Sequence, residues 1–162
     1  MEITIKGTMA EVEGVQPKVG EKAPDFSLVN LKKQIINLSD LTDKPVLISV
    51  VPDIDTRVCA LQTKRFNQEA GNIKEVHFLT ISNNTAEEQA NWCAAEGVDM
   101  ELLHDTELNF AKAYGLYIPS AKHLARSIFV VDKNGVIVYE EIVPEMAQEP
   151  DYGKALDVVT NL

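Results

Sequence analysis

The sequence predicts an α/β protein, a mixed sheet with helices on both faces. Three observations carry that prediction. Residues 46–51 (VLISVV) form a continuous apolar run, the pattern of a strand covered on both sides. A helical stretch at 58–70 and a second apolar run at 76–81 (VHFLTI) complete a strand–helix–strand unit. Residues 127–131 and 136–142 then read as strands joined by Asp132-Lys133-Asn134-Gly135, a strong hairpin signal.

The remaining elements follow along the chain. In the first 14 residues Ile3, Ile5, Met9 and Val12 flank Gly7 and Thr8, which predicts a short hairpin laid onto the main body. GEKAP at 20–24 is a turn-rich link into a strand, FSLVNL, and residues 38–41 form a short turn before Pro45. In the 58–70 helix, Val58, Leu61, Phe66 and Ala70 are expected on the apolar face and Gln62, Lys64, Arg65 and Gln68 elsewhere, with Gly71 ending it. Thr85-Ala86-Glu87-Glu88 has capping-box spacing and opens a helix through about Glu96, closed by Gly97. Ala86, Ala90 and Cys93 then share a small-residue face. A short helix is expected over 107–114, closed by Gly115, and Pro150 is placed to start a final helix. No repeat, low-complexity stretch or linker divides residues 1–162, so one domain is expected.

Composition narrows the function classes. With 45% hydrophobic and 25% charged residues the chain reads as an ordinary globular protein. A net charge of −10 argues against nucleic acid, because neutralising phosphates needs clustered Lys and Arg. No signal-peptide run or membrane-length apolar segment is present, so the default location is the cytoplasm. Disulfides there tend to be transient and catalytic rather than structural. The two cysteines, Cys59 and Cys93, form neither a CxxC pair nor a zinc pattern, and His77, His104 and His123 are scattered.

The stretch PDIDTRVC (52–59) is the chemical focus. A packing cysteine usually has apolar neighbours, whereas Cys59 follows a charged loop at the mouth of a helix. Functional groups of open α/β sheets gather at the carboxyl ends of strands. A helix N-terminus brings free N–H groups and partial positive charge, a setting that favours thiolate. Asp53 and Asp55 push the other way if they point at the sulfur, and Arg57 opposes them unless it faces solvent. Pro52 stiffens the loop and has no N–H of its own. Thr56, one helical turn before the cysteine, can hold a group over the sulfur or simply cap the helix. Cys93, among alanines and beside Trp92, reads equally well as a core cysteine, and Arg126 as a surface charge. Trp92 and Tyr114 read as packing residues.

P-x-x-x-T-x-x-C, present as Pro52 to Cys59, resembles the active-site motif of peroxiredoxins. IDTRVC followed by KRFNQEA, WCAAEG around Cys93, LARSIFVVDKNG around Arg126 and EEIVPEMAQEPDYGKAL near the end look like the thiol peroxidase subfamily, an atypical two-cysteine type. The resemblance spans nearly the whole chain, with one departure: Asp53 stands where Ser is common. It implies a thioredoxin-like fold of peroxiredoxin type with an N-terminal β-hairpin extension. It further implies a peroxidase for hydrogen peroxide and organic hydroperoxides. Cys59 would be the peroxidatic thiolate that becomes a sulfenic acid, Thr56 and Arg126 would hold the peroxide, and Pro52 would shield the sulfur. Cys93 would resolve the sulfenic acid into an intramolecular disulfide, which thioredoxin would reduce, in a homodimer without cofactor. A redox sensor that relays oxidation through the same cysteine is the alternative. Because a disulfide needs Cα atoms within about 7 Å and the cysteines start on different helices, the first turn around Cys59 and the Cys93 helix are expected to rearrange in each cycle.

Overall fold

The computed structural model describes residues 1–54, 56–70, 73, 75–96 and 101–162. The helix-ending roles expected of Gly71 and Gly97, and the charge of Asp55, lie outside those residues.

A seven-stranded mixed sheet runs in the order β11-β10-β5-β6-β7-β3-β4. Its centre is β5 (Val46–Val50), every residue of which is buried. β5 pairs in parallel with β6 (His77–Ser82) and antiparallel with β10 (Ser127–Val131). The parallel pair needs a crossover, supplied by α1 (Arg57–Ala70). β10 continues into β11 (Ile137–Ile142) through the DKNG turn, where Gly135 takes φ 78°. On the other side lie β7 (Leu102–His104), β3 (Ser27–Asn30) and β4 (Ile35–Asn37). A separate two-stranded ribbon, β1 (Glu2–Ile5) with β2 (Thr8–Glu11), forms the N-terminal hairpin. A further small ribbon joins β8 (Tyr117–Ile118) to β9 (His123–Leu124).

Alternation along the strands assigns the faces. Val46, Ile48 and Val50 of β5 join Phe129, Leu79 and Ile81 on one face. They pack there with Phe110 and Tyr114 of α3 (Asn109–Tyr114) and with Ile3 and Ala10 of the hairpin. Leu47, Ile128 and Val130 point the other way, to Phe66 of α1 and to Tyr152, Ala155 and Val159 of α4 (Tyr152–Thr160). Helix α2 (Ala86–Glu96) lies on that second face, where the Gln89 amide donates to Ser82 Oγ at 3.0 Å. The fold is therefore the expected mixed sheet with helices on both faces and a β-hairpin at the N-terminus. Tyr114 is fully buried, stacks on Phe110 at 4.3 Å and donates its hydroxyl to Pro24 O at 2.8 Å, as a packing residue does.

Several local readings are confirmed and three are corrected. The capping box is complete: Thr85 N donates to Glu88 Oε1 at 2.9 Å and Glu88 N to Thr85 Oγ1 at 3.1 Å. Gly115 closes α3 in the left-handed region at φ 62°. Pro150, however, precedes the last helix instead of opening it. Asp151 is the N-cap, its side chain accepting from Lys154 N at 3.1 Å. The inward face of α1 consists of Cys59, Gln62, Thr63 and Phe66, spaced i, i+3, i+4, i+7, while Leu61 is exposed. On α2 the alanines Ala86 and Ala90 are exposed, and Gln89 and Trp92 turn inward with Cys93 half-buried beside them. In both helices a glutamine buries because the sheet beneath offers polar partners, so side-chain polarity misplaces the face.

Candidate active site

β5 delivers the chain at Val51 into the 52–56 loop. Ile54 is fully buried and packs in a cluster with Val51, Cys59, Trp92 and Leu102, which anchors the loop from below. Thr56 folds back on Asp53, its N–H and hydroxyl both donating to the Asp53 carbonyl at 3.1 and 2.9 Å. The Thr56 carbonyl accepts from Ala60 N at 2.9 Å and so starts α1. The Thr56 hydroxyl is turned back onto the Asp53 carbonyl. With its one hydrogen committed to Asp53, it can meet an incoming group only as an acceptor.

Cys59 is the third residue of α1 and has no exposed surface. Two N–H donors converge on its sulfur, Arg126 Nη2 at 3.3 Å and the backbone N–H of Asp53 at 3.5 Å. The surface-charge reading of Arg126 is thus overturned: it is 2% exposed, directly before β10. The register explains its position. Ser127 pairs with Val50, so Arg126 lies abreast of the end of β5, beside the loop. Its Nε and Nη2 donate to Met146 O at 3.0 and 2.7 Å, and Nη1 to Gln62 Oε1 at 2.9 Å. Gln62 is fixed in turn by Ser49 Oγ at 2.8 Å and Val50 O at 3.3 Å. All of these partners except the sulfur are neutral. A buried guanidinium is costly without a negative partner, and among its described partners the sulfur is the one that can carry negative charge when ionised.

Asp53 also departs from expectation. Its backbone N–H faces the sulfur, and its carboxylate is turned to Asn84, whose Nδ2 donates to Oδ1 at 3.0 Å. Arg57 is exposed. A cavity of about 320 Å³ opens above, with Pro52, Thr56, Val58, Ile118, Met146 and Arg126 in its wall. The lining is mostly apolar, and Lys6, Asp53 and Arg57 also reach it beside the guanidinium.

Cys93 approaches the same ground from α2. It packs against the cluster that contains Cys59 and Trp92, and the two cysteines are both thiols, not joined by a disulfide. Of the histidines, His77 pairs with Asp43 at 2.9 Å and His123 contacts Asn83 at 3.4 Å. Among the described residues no group of three or more metal-ligating side chains comes together, and no helix is long and apolar enough to cross a membrane.

The structure therefore brings Pro52, Thr56, Cys59 and Arg126 together and places Cys93 on the neighbouring helix. Gln62, Ser49, Met146 and Asn84 belong to the same arrangement and were not read from sequence. Gln62 was the accessible one, since i+3 from Cys59 is the same helix face. The segment carrying Met146 is pinned by its neighbour Glu145, whose carboxylate accepts from Ala147 N and from Gly7 N of the hairpin turn. These donors, Ala147 first, hold the Glu145 carboxyl below its ordinary value.

Comparison with known proteins agrees with this geometry. Residues 19–140 match the AhpC/TSA family. The chain is 42% identical over 163 residues to a thiol peroxidase of Bacillus subtilis, covering 99% of this chain and 98% of that one. It is 43% identical to a thiol peroxidase of Listeria innocua, with 96% of each chain covered. A peroxiredoxin-like protein from Aquifex aeolicus superposes with a TM-score of 0.93 at 27% identity, covering 99% and 96% of the two chains. A thioredoxin-like sheet of peroxiredoxin type, a cysteine at the mouth of α1 under a buried arginine, and full-length identity above 40% agree: the chain belongs to the AhpC/TSA family, in its thiol peroxidase subfamily.

Proposed function

We propose that the chain is a thiol-specific peroxidase that reduces hydrogen peroxide and organic hydroperoxides. The observation that carries this reading is the Arg126 guanidinium on the Cys59 sulfur at 3.3 Å, inside a wall shared with Thr56 and Pro52. A hydroperoxide entering the cavity donates its O–H to the Thr56 hydroxyl, which faces it as an acceptor. The Cys59 thiolate attacks the terminal oxygen, the O–O bond breaks, and Cys59 becomes a sulfenic acid while the other oxygen departs as hydroxide or alkoxide and takes a proton from solvent to give water or alcohol. Arg126 meets the charge that develops on that oxygen, and Pro52, with no N–H, keeps competing donors and water from the sulfur. The Cys93 thiol then displaces water from the sulfenic acid to give a Cys59–Cys93 disulfide, which a thioredoxin-type dithiol reduces. The peroxidase reading is preferred to a sensor or relay because the site addresses a small electrophile and full-length relatives carry peroxidase names. We extend the reading to one domain over 1–162, acting in the cytoplasm as a homodimer. The hairpin residues Ile3 and Ala10 share a buried cluster with Phe129 of the central sheet.

Stopped-flow peroxide consumption by the wild type, Cys59→Ser and Cys93→Ser tests the assignment. Cys59→Ser is expected to abolish the reaction, and Cys93→Ser to allow one turnover that stops at the sulfenic acid. Mass spectrometry after one equivalent of peroxide should show a loss of two hydrogens mapping to a Cys59–Cys93 link. Unimpaired cycling with thioredoxin in Cys93→Ser would remove Cys93 from the resolving role.

A further inference from the structure

Asn84 is 5% exposed and uses both ends of its amide on two successive residues of the 52–56 loop. Its Oδ1 accepts from Ile54 N at 2.9 Å and its Nδ2 donates to Asp53 Oδ1 at 3.0 Å. It does so from a fixed base, between the end of β6 and the capping box that opens α2. The residue it grips, Asp53, delivers the second N–H to the sulfur, at 3.5 Å. A donor at that distance is useful only while its direction is held. The same grip turns a carboxylate, the group that would oppose a thiolate, onto an amide donor.

We propose that Asn84 is a positioning residue for the peroxide step, holding the loop so that the Asp53 N–H stays on the Cys59 sulfur and the Asp53 carboxylate stays turned to the Asn84 amide. This rests on Cys59 being the peroxide-reactive thiol. It adds a fourth part, the β6–α2 junction, to a site otherwise built from the loop, α1 and the start of β10. It also ties the base of the Cys93 helix to the loop above Cys59.

The test measures sulfenate formation in a Cys93→Ser background, followed by Trp92, the single tryptophan, which packs in the same cluster as Cys59. N84A is expected to lower the second-order rate roughly 10- to 100-fold, the scale of a slightly misplaced reacting group. N84D sets two carboxylates against each other and is expected to lower the rate similarly, with recovery toward acid pH as one takes a proton. The exchanged pair D53N/N84D rebuilds the amide–carboxylate bond in reverse and is expected to recover most of the loss, a coupling that general loosening would not give. If N84A fails to fold, N84D and the exchanged pair decide. A folded N84A within two-fold of the parent, or an exchanged pair no better than N84D, would overturn the proposal while leaving the peroxidase reading intact. A parent inert to peroxide would bring down both.

Discussion

Arg126 distributes its donors over three acceptors in two parts of the chain: the Cys59 sulfur and Gln62 amide oxygen of α1, and the Met146 carbonyl. That geometry uses the planar fork, which a lysine ammonium does not reproduce. Arg126→Lys is therefore expected to retain the charge but lower kcat/KM on the order of 100-fold, the scale of losing one aimed donor to a developing anion. Thermal unfolding in parallel separates lost aim from lost fold, and a variant with near-normal kcat/KM would show that charge alone suffices. At this scale the sequence was legible where function is local. Pro52, Thr56 and Cys59 lie within eight residues, over one loop and the first turn of α1, and their spacing carries the chemistry. Arg126 was assigned a role only by resemblance, because its place beside the loop depends on the Ser127–Val50 pairing, a register formed between distant strands. Met146 and Asn84 had no signal, since each contributes through one carbonyl or one amide that any spacing could supply.

Among the elements, α1 and α2 carry the two cysteines and are tied near the far end of α2 by Lys64 and Glu96, with Nζ to Oε2 at 2.5 Å. Both groups are partly exposed, so the pair stabilises by no more than about 1 kcal/mol and is screened by salt. If α2 must shift for Cys93 to reach Cys59, Glu96→Gln is expected to speed disulfide formation after the sulfenic acid has formed. The gain would be at most about five-fold at low salt and would vanish in roughly 1 M salt. Quenched-flow mass spectrometry reads that step directly, and an unchanged rate at low salt would show that the tie does not restrain α2. The long elements could be located from apolar period, but their faces could not. Gln62 and Gln89 are buried because Ser49, Val50 O, Ser82 and Leu103 O wait beneath them, and a polar-versus-apolar pattern places every glutamine outside. β4 and β7, three residues each, are too short for any period to show.

Across the whole molecule, the N-terminal hairpin reaches the active site through Glu145. Thr4 exchanges backbone bonds with Pro144 and Met146, and the Glu145 carboxylate accepts from Thr4 Oγ1 at 3.1 Å and Gly7 N at 2.7 Å. The segment so pinned presents the carbonyl that holds Arg126. Those donors, the Ala147 N–H first, lower the Glu145 carboxyl from its ordinary value of 4.5. A group lowered in the folded state stabilises fully above its unfolded value, and that stabilisation is lost as pH falls through the folded one. Glu145→Gln is thus expected to have a lower thermal midpoint than wild type at neutral pH. The gap should close on acidification below the ordinary carboxylate range, and kcat/KM at neutral pH should drop a few-fold as Met146 loosens. A midpoint gap independent of pH would assign the effect to packing.

The neutral surroundings of Arg126 have a mechanical consequence. Its backbone leads directly into β10 of the sheet, while the sulfur it faces rides on the first turn of a helix. If that turn carries the sulfur off to meet Cys93, the guanidinium would stay behind, buried and missing the one of its described partners able to bear negative charge. Each oxidised molecule would then hold in its interior a cation met by the neutral acceptors of Gln62 and Met146. Reduction of the disulfide would release the turn to fall back onto it, so the arginine would act as the spring that resets the site.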